Sequence, residues 1–276
     1  MLGGLAIRKN LLCAAVSDVR GRVFLIDLEE RRPAASFAFA EAGGVAIDAA
    51  FTLFVADTRK DLLRRFTIFG QELAHFGQPS PASHHARRRD RPGVLTRPHG
   101  VAVHAGVVYV CCGDARLVTG VQRFTSAGVV LPPLHAFGEP GRPFGAPRGI
   151  CASAAGIFVA DTLHGCVQCY TAEGRFVRTF PTATHAGQTS RPVAVAPQPG
   201  KSLVVVEHGD NPGLKRFSWL GKPLGALPSV EPLAICSDAA GSLYVLDQDG
   251  LRVQRFAPDF SHGTVILDLA EFLHGQ

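Results

Sequence analysis

The chain has 276 residues, 46% of them hydrophobic, with 30 Gly and 19 Pro spread along its whole length. This composition supports a substantial buried core with regularly spaced turns and excludes a mostly disordered chain. A formal net charge of +5 permits an anionic partner without requiring one, and seven cysteines, an odd number, exclude a complete disulfide framework. No apolar run reaches the ~18 residues that a membrane helix needs, so we expect a soluble, cytoplasmic protein with no membrane partner.

Four predicted strands recur in the same order along the chain. The first begins at a small residue, which in successive copies is Gly4, Gly44, Gly100, Gly149, Ala194 and Ala234. The second ends in a polar turn, at or just after Ser17, Asp57, Cys112, Asp161, Glu207 and Asp247. The third ends in a bulky side chain, which is Ile26, Phe66, Phe124, Tyr170, Phe217 and Phe256. The fourth closes each copy, over residues 36–39, 73–76, 134–137, 177–180, 224–227 and 265–269.

These copies, each about 40 to 56 residues long, predict an all-β fold: a six-bladed β-propeller of four-stranded antiparallel blades. One such sheet cannot bury both of its faces alone, whereas sheets stacked radially bury them against one another. The blades are expected within a single domain, approximately over residues 1–40, 41–80, 95–140, 146–182, 190–228 and 230–270. Because the first and last copies each contain four strands, the ring closes either by packing alone or through further N-terminal sequence.

Several segments resemble the NHL-repeat family, whose repeat reads roughly Pro-x-Gly-Val-Ala-Val, then Tyr/Phe-Val-Ala-Asp-Thr, then Val-Gln-x-Phe. Residues 97–103 read RPHGVAV, residues 159–162 read VADT, and residues 121–124 and 253–256 both read VQRF. The resemblance covers essentially the whole chain and implies the propeller fold. It implies less about function, because NHL propellers include protein-binding modules, RNA-binding modules and a few enzymes.

The candidate binding site lies at the start of the innermost strands, where the blades converge on a central channel. The residue before each small residue forms a ring at the channel mouth, and its members are Gly3, Gly43, His99, Arg148, Val193 and Leu233. His99 and Arg148 belong to adjacent blades, so we expect them to face one space and to bind a carboxylate or a phosphate. The alternative is that both side chains only line a solvated channel.

Two enzyme classes that share this architecture bear on metal chemistry at the ring. Peptidylglycine amidating lyases, which this fold resembles, hold zinc with three channel histidines, and only His99 stands in the matching Pro-His-Gly context. Gluconolactonase-like propellers hold Ca²⁺ with carboxylate and amide oxygens, but the ring carries no acid and the chain has two Asn, Asn10 and Asn211. We therefore expect no metal, no cofactor and no catalytic residue, with His208, in a surface turn, as an outlying candidate ligand.

A basic segment separates the second copy from the third, and it contains His84, His85, Arg87, Arg88, Arg89 and Arg91. It predicts an inserted loop that is either simply solvated or contacts an anionic partner, which would be an acidic protein or nucleic acid. The nucleic-acid alternative is the weaker one, because the segment has no aromatic side chain to stack on bases.

Other apparent motifs are expected to belong to the repeat. Asp57, Asp161 and Asp247 follow strands and are predicted to cap turns by accepting backbone N–H bonds. The third-strand basic residues are predicted to be solvated or to lie between blades, and they are Arg65, Arg123, Lys215, Arg216 and Arg255. Cys166 and Cys169 are three apart on a strand and face opposite sides, which disfavours a shared redox or metal role.

The leading prediction is therefore a monomeric, non-catalytic propeller that binds a protein or a small anionic ligand at the channel mouth. One alternative is a metal-dependent hydrolase or lyase that uses the channel, of the gluconolactonase-like or amidating-lyase-like class. A further alternative is an RNA-binding module that uses a basic face.

Overall fold

The computed structural model describes residues 2–17, 21–79, 91–113, 118–227, 232–247, 252–261 and 263–273. Within them the chain forms six four-stranded antiparallel sheets, each made of four consecutive strands that lie side by side in sequence order. The predicted all-β, six-bladed propeller is confirmed.

The first three blades contain twelve strands, and a short parallel pair of strands lies in the segment between blades 2 and 3. Blade 1 consists of β1 (Leu2–Arg8), β2 (Leu11–Ser17), β3 (Arg22–Asp27) and β4 (Arg32–Ala38). Blade 2 consists of β5 (Ala42–Ile47), β6 (Leu53–Asp57), β7 (Leu62–Phe66) and β8 (Glu72–Phe76), and it is followed by a short parallel pair, β9 (Gln78–Pro79) and β10 (Val94–Leu95). Blade 3 consists of β11 (Pro98–His104), β12 (Val107–Gly113), β13 (Val118–Thr125) and β14 (Val130–Leu134).

The remaining three sheets complete the ring. Blade 4 consists of β15 (Pro147–Ser153), β16 (Gly156–Asp161), β17 (Cys166–Tyr170) and β18 (Phe176–Pro181). Blade 5 consists of β19 (Pro192–Gln198), β20 (Ser202–Glu207), β21 (Gly213–Ser218) and β22 (Pro223–Leu227). Blade 6 consists of β23 (Pro232–Ser237), β24 (Leu243–Asp247), β25 (Arg252–Phe256) and β26 (Gly263–Asp268), and a short helix, α1 (Ala270–Leu273), follows it. In the described part of the chain, no helix is long and apolar enough to cross a membrane.

Strand β2 shows why these sequences form blades. Successive side chains on a strand point to opposite faces of the sheet. Leu12, Ala14 and Val16 therefore pack into the seam with blade 6, while Cys13 and Ala15 pack into the seam with blade 2. All five are apolar and fully buried, as expected for a strand that is covered on both sides. An apolar cluster of this kind fills each of the six seams.

The innermost strands contact one another in turn around the channel, and β23 contacts β1 to complete the circle. Small residues are required where the inner strands of neighbouring blades come close together. A Cβ added to Gly4 would lie 2.8 Å from the Cα of Gly44, and one added to Gly44 would lie 2.6 Å from the carbonyl oxygen of His99. Among the described residues no strand is exchanged between blades 1 and 6, so the ring closes through the packing of their side chains.

One predicted strand is wrong in its position. The fourth strand of the third copy was expected over residues 134–137, but β14 ends at Leu134, and Ala136–Gly138 forms a 3₁₀ turn. Pro132 and Pro133 obscure this strand in the sequence because proline cannot donate to a β-ladder. The structure accommodates them because β14 is the outer edge of its blade, where a missing N–H leaves no neighbouring strand unpaired.

Candidate functional site

The channel mouth opens into a cavity of about 320 Å³ that all six ring positions line. His99, which is 7% exposed, and Arg148, which is exposed, lie in adjacent blades and line this same cavity. The structure therefore brings together the two side chains that the sequence singled out. That they bind a ligand stays a prediction.

A β-bulge positions the ring residue in blades 2 to 6. In blade 4, Pro147 pairs with Asp161 and Gly149 with Ala160, which leaves Arg148 as the extra residue of its strand. The inner strands of the other four blades shift register at the corresponding place. A bulge bends its strand and re-aims the extra side chain, so the ring positions sit where the ladder does not constrain them. In blade 1 the register is regular, and Gly3 pairs directly with Val16.

The sequence contains a signal for these bulges that is separate from the pattern of small residues. Pro98, Pro147, Pro192 and Pro232 stand directly before a ring residue. Proline has no N–H to donate and is confined to edges, strand starts and bulges. Four prolines at one repeat position therefore indicate an irregularity in the inner strands.

Side chains from the preceding blade hold the carbonyl groups that flank the ring. The hydroxyls of Ser17, Thr58 and Thr162 donate to the carbonyl oxygens of Ala42, Pro98 and Pro192, over 2.7, 2.7 and 2.8 Å. Each donor directly follows or ends the second strand of one blade, and each acceptor begins the inner strand of the next. We call these bonds the seam latches. They join neighbouring blades at the rim of the cavity.

His208 occupies the latch position of blade 5, which Ser17, Thr58 and Thr162 occupy in blades 1, 2 and 4. Its Nε2 lies 2.8 Å from the carbonyl oxygen of Pro232, directly before Leu233 of the ring. A carbonyl only accepts hydrogen bonds, so Nε2 carries the proton. His208 is exposed in a turn, as predicted, but it also lines the channel cavity, which sequence reasoning did not anticipate.

The acids at the ends of the second strands make their contacts within the blades and not in the cavity. The carboxylates of Asp57 and Asp247 accept from the backbone N–H groups of Lys60 and Arg252, as the capping prediction requires. Each acid also meets a polar side chain of the third strand, and the pairs are Asp57 with Arg64 (3.4 Å), Asp161 with Gln168 (2.6 Å), Glu207 with Lys215 (3.9 Å) and Asp247 with Gln254 (3.3 Å). None of these acids lines the cavity.

Asp161 has the fullest set of partners among them. It is completely buried, and it accepts hydrogen bonds from the backbone of Gly145 (2.7 Å), from Gln168, and from Nδ1 of His164 (2.8 Å). Burial raises the pKa of its carboxyl, and the bond from His164 acts in the opposite direction. Burial of the Tyr170 hydroxyl, reinforced by the negative charge of Asp161, holds the pKa of Tyr170 well above its ordinary range. This network stabilises the turn beside Arg148.

The five third-strand basic residues have three kinds of neighbour, and Arg216 donates over 3.3 Å to the hydroxyl oxygen of Ser202 in its own blade. Arg65, Arg123 and Arg255 lie over aromatic rings of their own blades, at 5.1 to 5.9 Å. Lys215, in contrast, is 3% exposed beside the buried Glu207. Of the two predicted alternatives, Lys215 follows the inter-blade one, because its Nζ donates over 3.3 Å to the carbonyl oxygen of Thr182, directly after the last strand of blade 4, and its charge is compensated by Glu207.

The cysteines are free and mostly buried. Cys111 packs into the seam between blades 3 and 4, whereas its neighbour Cys112 packs into the seam between blades 2 and 3. Burial raises the pKa of Cys166 to about 11 and that of Cys169 to about 12, so both thiols are protonated near neutral pH.

The basic segment before blade 3 contributes a single described residue. Arg91 is exposed in the connection that leads to β11, and its carbonyl oxygen accepts from the N–H of Val94 at 3.2 Å. His84, His85, Arg87, Arg88 and Arg89 lie outside the described residues. Within the ranges that the structure describes, no group of three or more His, Cys, Asp or Glu side chains is arranged to hold a metal ion.

No protein-family model matches the chain, and no curated protein matches it. Solved structures do share its architecture. Virginiamycin B lyase from Staphylococcus aureus is 15% identical with a TM-score of 0.65, over 95% of this chain and 82% of that one. A catalytically inactive histidine-to-alanine variant of that lyase with quinupristin gives 13% identity and a TM-score of 0.58, over 88% of this chain and 90% of that one.

A chain of the nidogen/laminin complex is 14% identical with a TM-score of 0.63, over 95% of this chain and 94% of that one. The neighbours therefore include both an enzyme and a component of a protein complex. At these identities the similarity establishes the six-bladed propeller fold and no shared activity.

Proposed function

We propose that this protein is a divergent NHL-type propeller that binds an anion, either a small ligand or an anionic segment of a protein, at the channel mouth without transforming it. The NHL assignment rests on the repeat motifs in the sequence. The binding assignment rests on one observation, which is that His99 and Arg148 line the same cavity. A guanidinium has five donors, so it can keep a contact within the protein and still bind a carboxylate or a phosphate.

The surroundings of these two groups support anion binding. Among the described residues that line the cavity there is no Asp or Glu. Arg148 is the extra residue of a bulge, which bends the strand and re-aims its side chain. A charge-assisted hydrogen bond contributes about 1.5–3 kcal/mol, which corresponds to about tenfold or more in affinity.

Calorimetric titration at fixed ionic strength tests the proposal, with acetate, hexanoate and inorganic phosphate as probes. We expect saturable binding of at least one probe to the wild type, and Arg148→Gln should weaken it about tenfold. Arg175→Gln is the matched control because Arg175 is also exposed but lies in a turn at the opposite end of blade 4. Binding that is absent for every probe, or that is equally strong in the Arg148→Gln and Arg175→Gln variants, would overturn the proposal.

A second candidate is a lyase or hydrolase that uses the same cavity. One observation favours it, which is that two histidines, His99 and His208, line the cavity, and imidazole is the most frequent acid–base group of enzymes. The virginiamycin B lyase neighbour offers a precedent for histidine-dependent chemistry on this fold. Recovery of a bound ligand unchanged after prolonged incubation supports binding alone, whereas conversion that His99→Gln or His208→Gln abolishes supports the enzyme.

A further inference from the structure

The ring positions that carry basic side chains, aliphatic side chains and no side chain at all are grouped separately around the ring. In blade order its members are Gly3, Gly43, His99, Arg148, Val193 and Leu233. The first two therefore present no side chain, the next two present basic groups, and the last two present aliphatic groups. Leu233 also leans toward blade 1, because one of its δ carbons lies 2.6 Å from the point that a Cβ on Gly3 would occupy. A ligand at the mouth meets a charged side and an apolar side at once.

Below the ring the inner strands are the free edges of their sheets, so backbone N–H and C=O groups face the cavity beside aliphatic residues. Two positions farther along each inner strand, an aliphatic residue borders the cavity in every blade while its side chain packs into a seam, and these residues are Leu5, Val45, Val101, Ile150, Val195 and Ile235. They are 3% to 7% exposed. The side chains that make one wall differ from another therefore lie in the ring itself.

The size and charge of the cavity limit what it can hold. A volume of about 320 Å³ lies at the lower end of the ~300–1,000 Å³ range of ligand sites. Among the described lining residues, Arg148 carries the one permanent charge. A phosphate dianion would bring two charges and would turn some of its oxygens toward aliphatic walls, which is costly. A carboxylate brings one charge, and its two oxygens match the two parallel N–H groups of a guanidinium.

Building on the proposed anion-binding function, we infer that the ligand is an amphipathic monocarboxylate with a short aliphatic chain. Its carboxylate binds Arg148 and His99 at the mouth. Its chain lies against Val193 and Leu233, on the aliphatic side of the ring. The apolar contacts select the chain, and Arg148 selects the charge.

The test is a calorimetric series of acetate, butyrate, hexanoate and octanoate, with inorganic phosphate and hexanol alongside, at one pH and ionic strength. Each methylene that leaves water should raise the affinity about fourfold, until the cavity is filled. Hexanoate should bind at least tenfold more tightly than phosphate or hexanol.

Two variants separate the roles of the walls. Arg148→Gln should weaken every carboxylate by a similar factor and leave the gain per methylene unchanged. Val193→Thr, which nearly preserves the volume of the side chain, should reduce the gain per methylene and affect acetate least. Leu233→Ser should also reduce the gain per methylene. If loss of the contact between Leu233 and blade 1 unfolds that variant, Val193→Thr still provides the test. Leu220→Ser is the control, because Leu220 is 71% exposed in a turn at the opposite end of blade 5.

The outcomes distinguish this inference from the proposal on which it rests. Arg148-dependent binding of phosphate that equals or exceeds binding of hexanoate, or an affinity that does not change with chain length, overturns the amphipathic ligand but leaves the anion site intact. Hexanol that binds as well as hexanoate overturns the carboxylate. Failure of all the anions to bind overturns both.

Discussion

Replacing Thr162 by valine tests whether the seam latches stabilise the propeller. Thr162 is 8% exposed, and its hydroxyl donates to the carbonyl oxygen of Pro192 across the seam between blades 4 and 5. Valine nearly preserves the shape of the side chain but cannot donate. The variant therefore leaves a carbonyl group at the rim of the cavity without its hydrogen bond.

The expected loss follows from the burial of that carbonyl. A buried polar group that loses its partner costs about 1–3 kcal/mol, and the added methyl group recovers part of this through apolar burial. We expect Thr162→Val to lower the free energy of unfolding by about 1–2 kcal/mol. Thr58→Val, at the seam between blades 2 and 3, should cost a similar amount. The two losses should add in the double variant, because the sites share no partner.

Urea unfolding, monitored by circular dichroism, measures the effect as a shift in the urea concentration at the midpoint. This holds provided that the slope of the free energy of unfolding against urea concentration stays constant. Thr264→Val is the control, because Thr264 is exposed on the outer strand of blade 6 and its replacement should change stability by no more than about 0.5 kcal/mol. If Thr162→Val were as stable as Thr264→Val, the hydroxyl bond would contribute nothing to the seam, and the role assigned to the latches would be refuted.

Two further predictions concern buried titratable groups. Because burial raises the pKa of Cys166 to about 11 and that of Cys169 to about 12, a disulfide reagent at mildly alkaline pH should label the native protein slowly and label all seven thiols after unfolding; rapid labelling of either thiol in the folded protein would contradict this. Burial also raises the pKa of Tyr109, Tyr170 and Tyr244, the last to about 12. Unfolded phenols ionise near pH ~10, so the stability that these tyrosines contribute is retained below that pH and decreases as the pH rises above it. Phenolate absorbance should therefore increase together with the loss of circular dichroism, and a tyrosine that ionises near pH ~10 in the folded protein would count against the assignment.

The fold was largely predictable because its determinants are local and repeated. An alternating apolar strand such as β2, followed by a polar turn, recurs at similar intervals, and each copy has the same need to cover both faces. Where local signals conflict, the prediction failed. Pro132 and Pro133 argue against a strand in isolation, and only the position of β14 at the outer edge makes them acceptable.

The site was partly predictable for the same reason. His99 and Arg148 could be assigned to one ring because each directly precedes a small residue whose place in the blade is fixed by packing. The contribution of His208 to the cavity could not be predicted in this way. It depends on a bond to Pro232 in the next blade, and the sequence pattern of blade 5 gives no measure of that distance. Similarly, the pairing of Glu207 with Lys215 depends on register between strands rather than on either residue alone.

The bulges have a consequence for how a propeller of this kind changes during evolution. An extra residue that opposes no residue of its own on the neighbouring strand can be substituted without altering the register of that strand. Each of blades 3 to 6 thus offers a separate slot at the channel mouth, and the chemistry of the channel can change one blade at a time while the scaffold is inherited unchanged. Blades 1 and 2 are the exceptions. Gly3 is held in regular register against Val16 and beneath Leu233, and a Cβ on Gly43 would lie 3.0 Å from the carbonyl oxygen of Pro98. Variation among descendants of this scaffold is therefore expected to accumulate at four slots and to spare the other two.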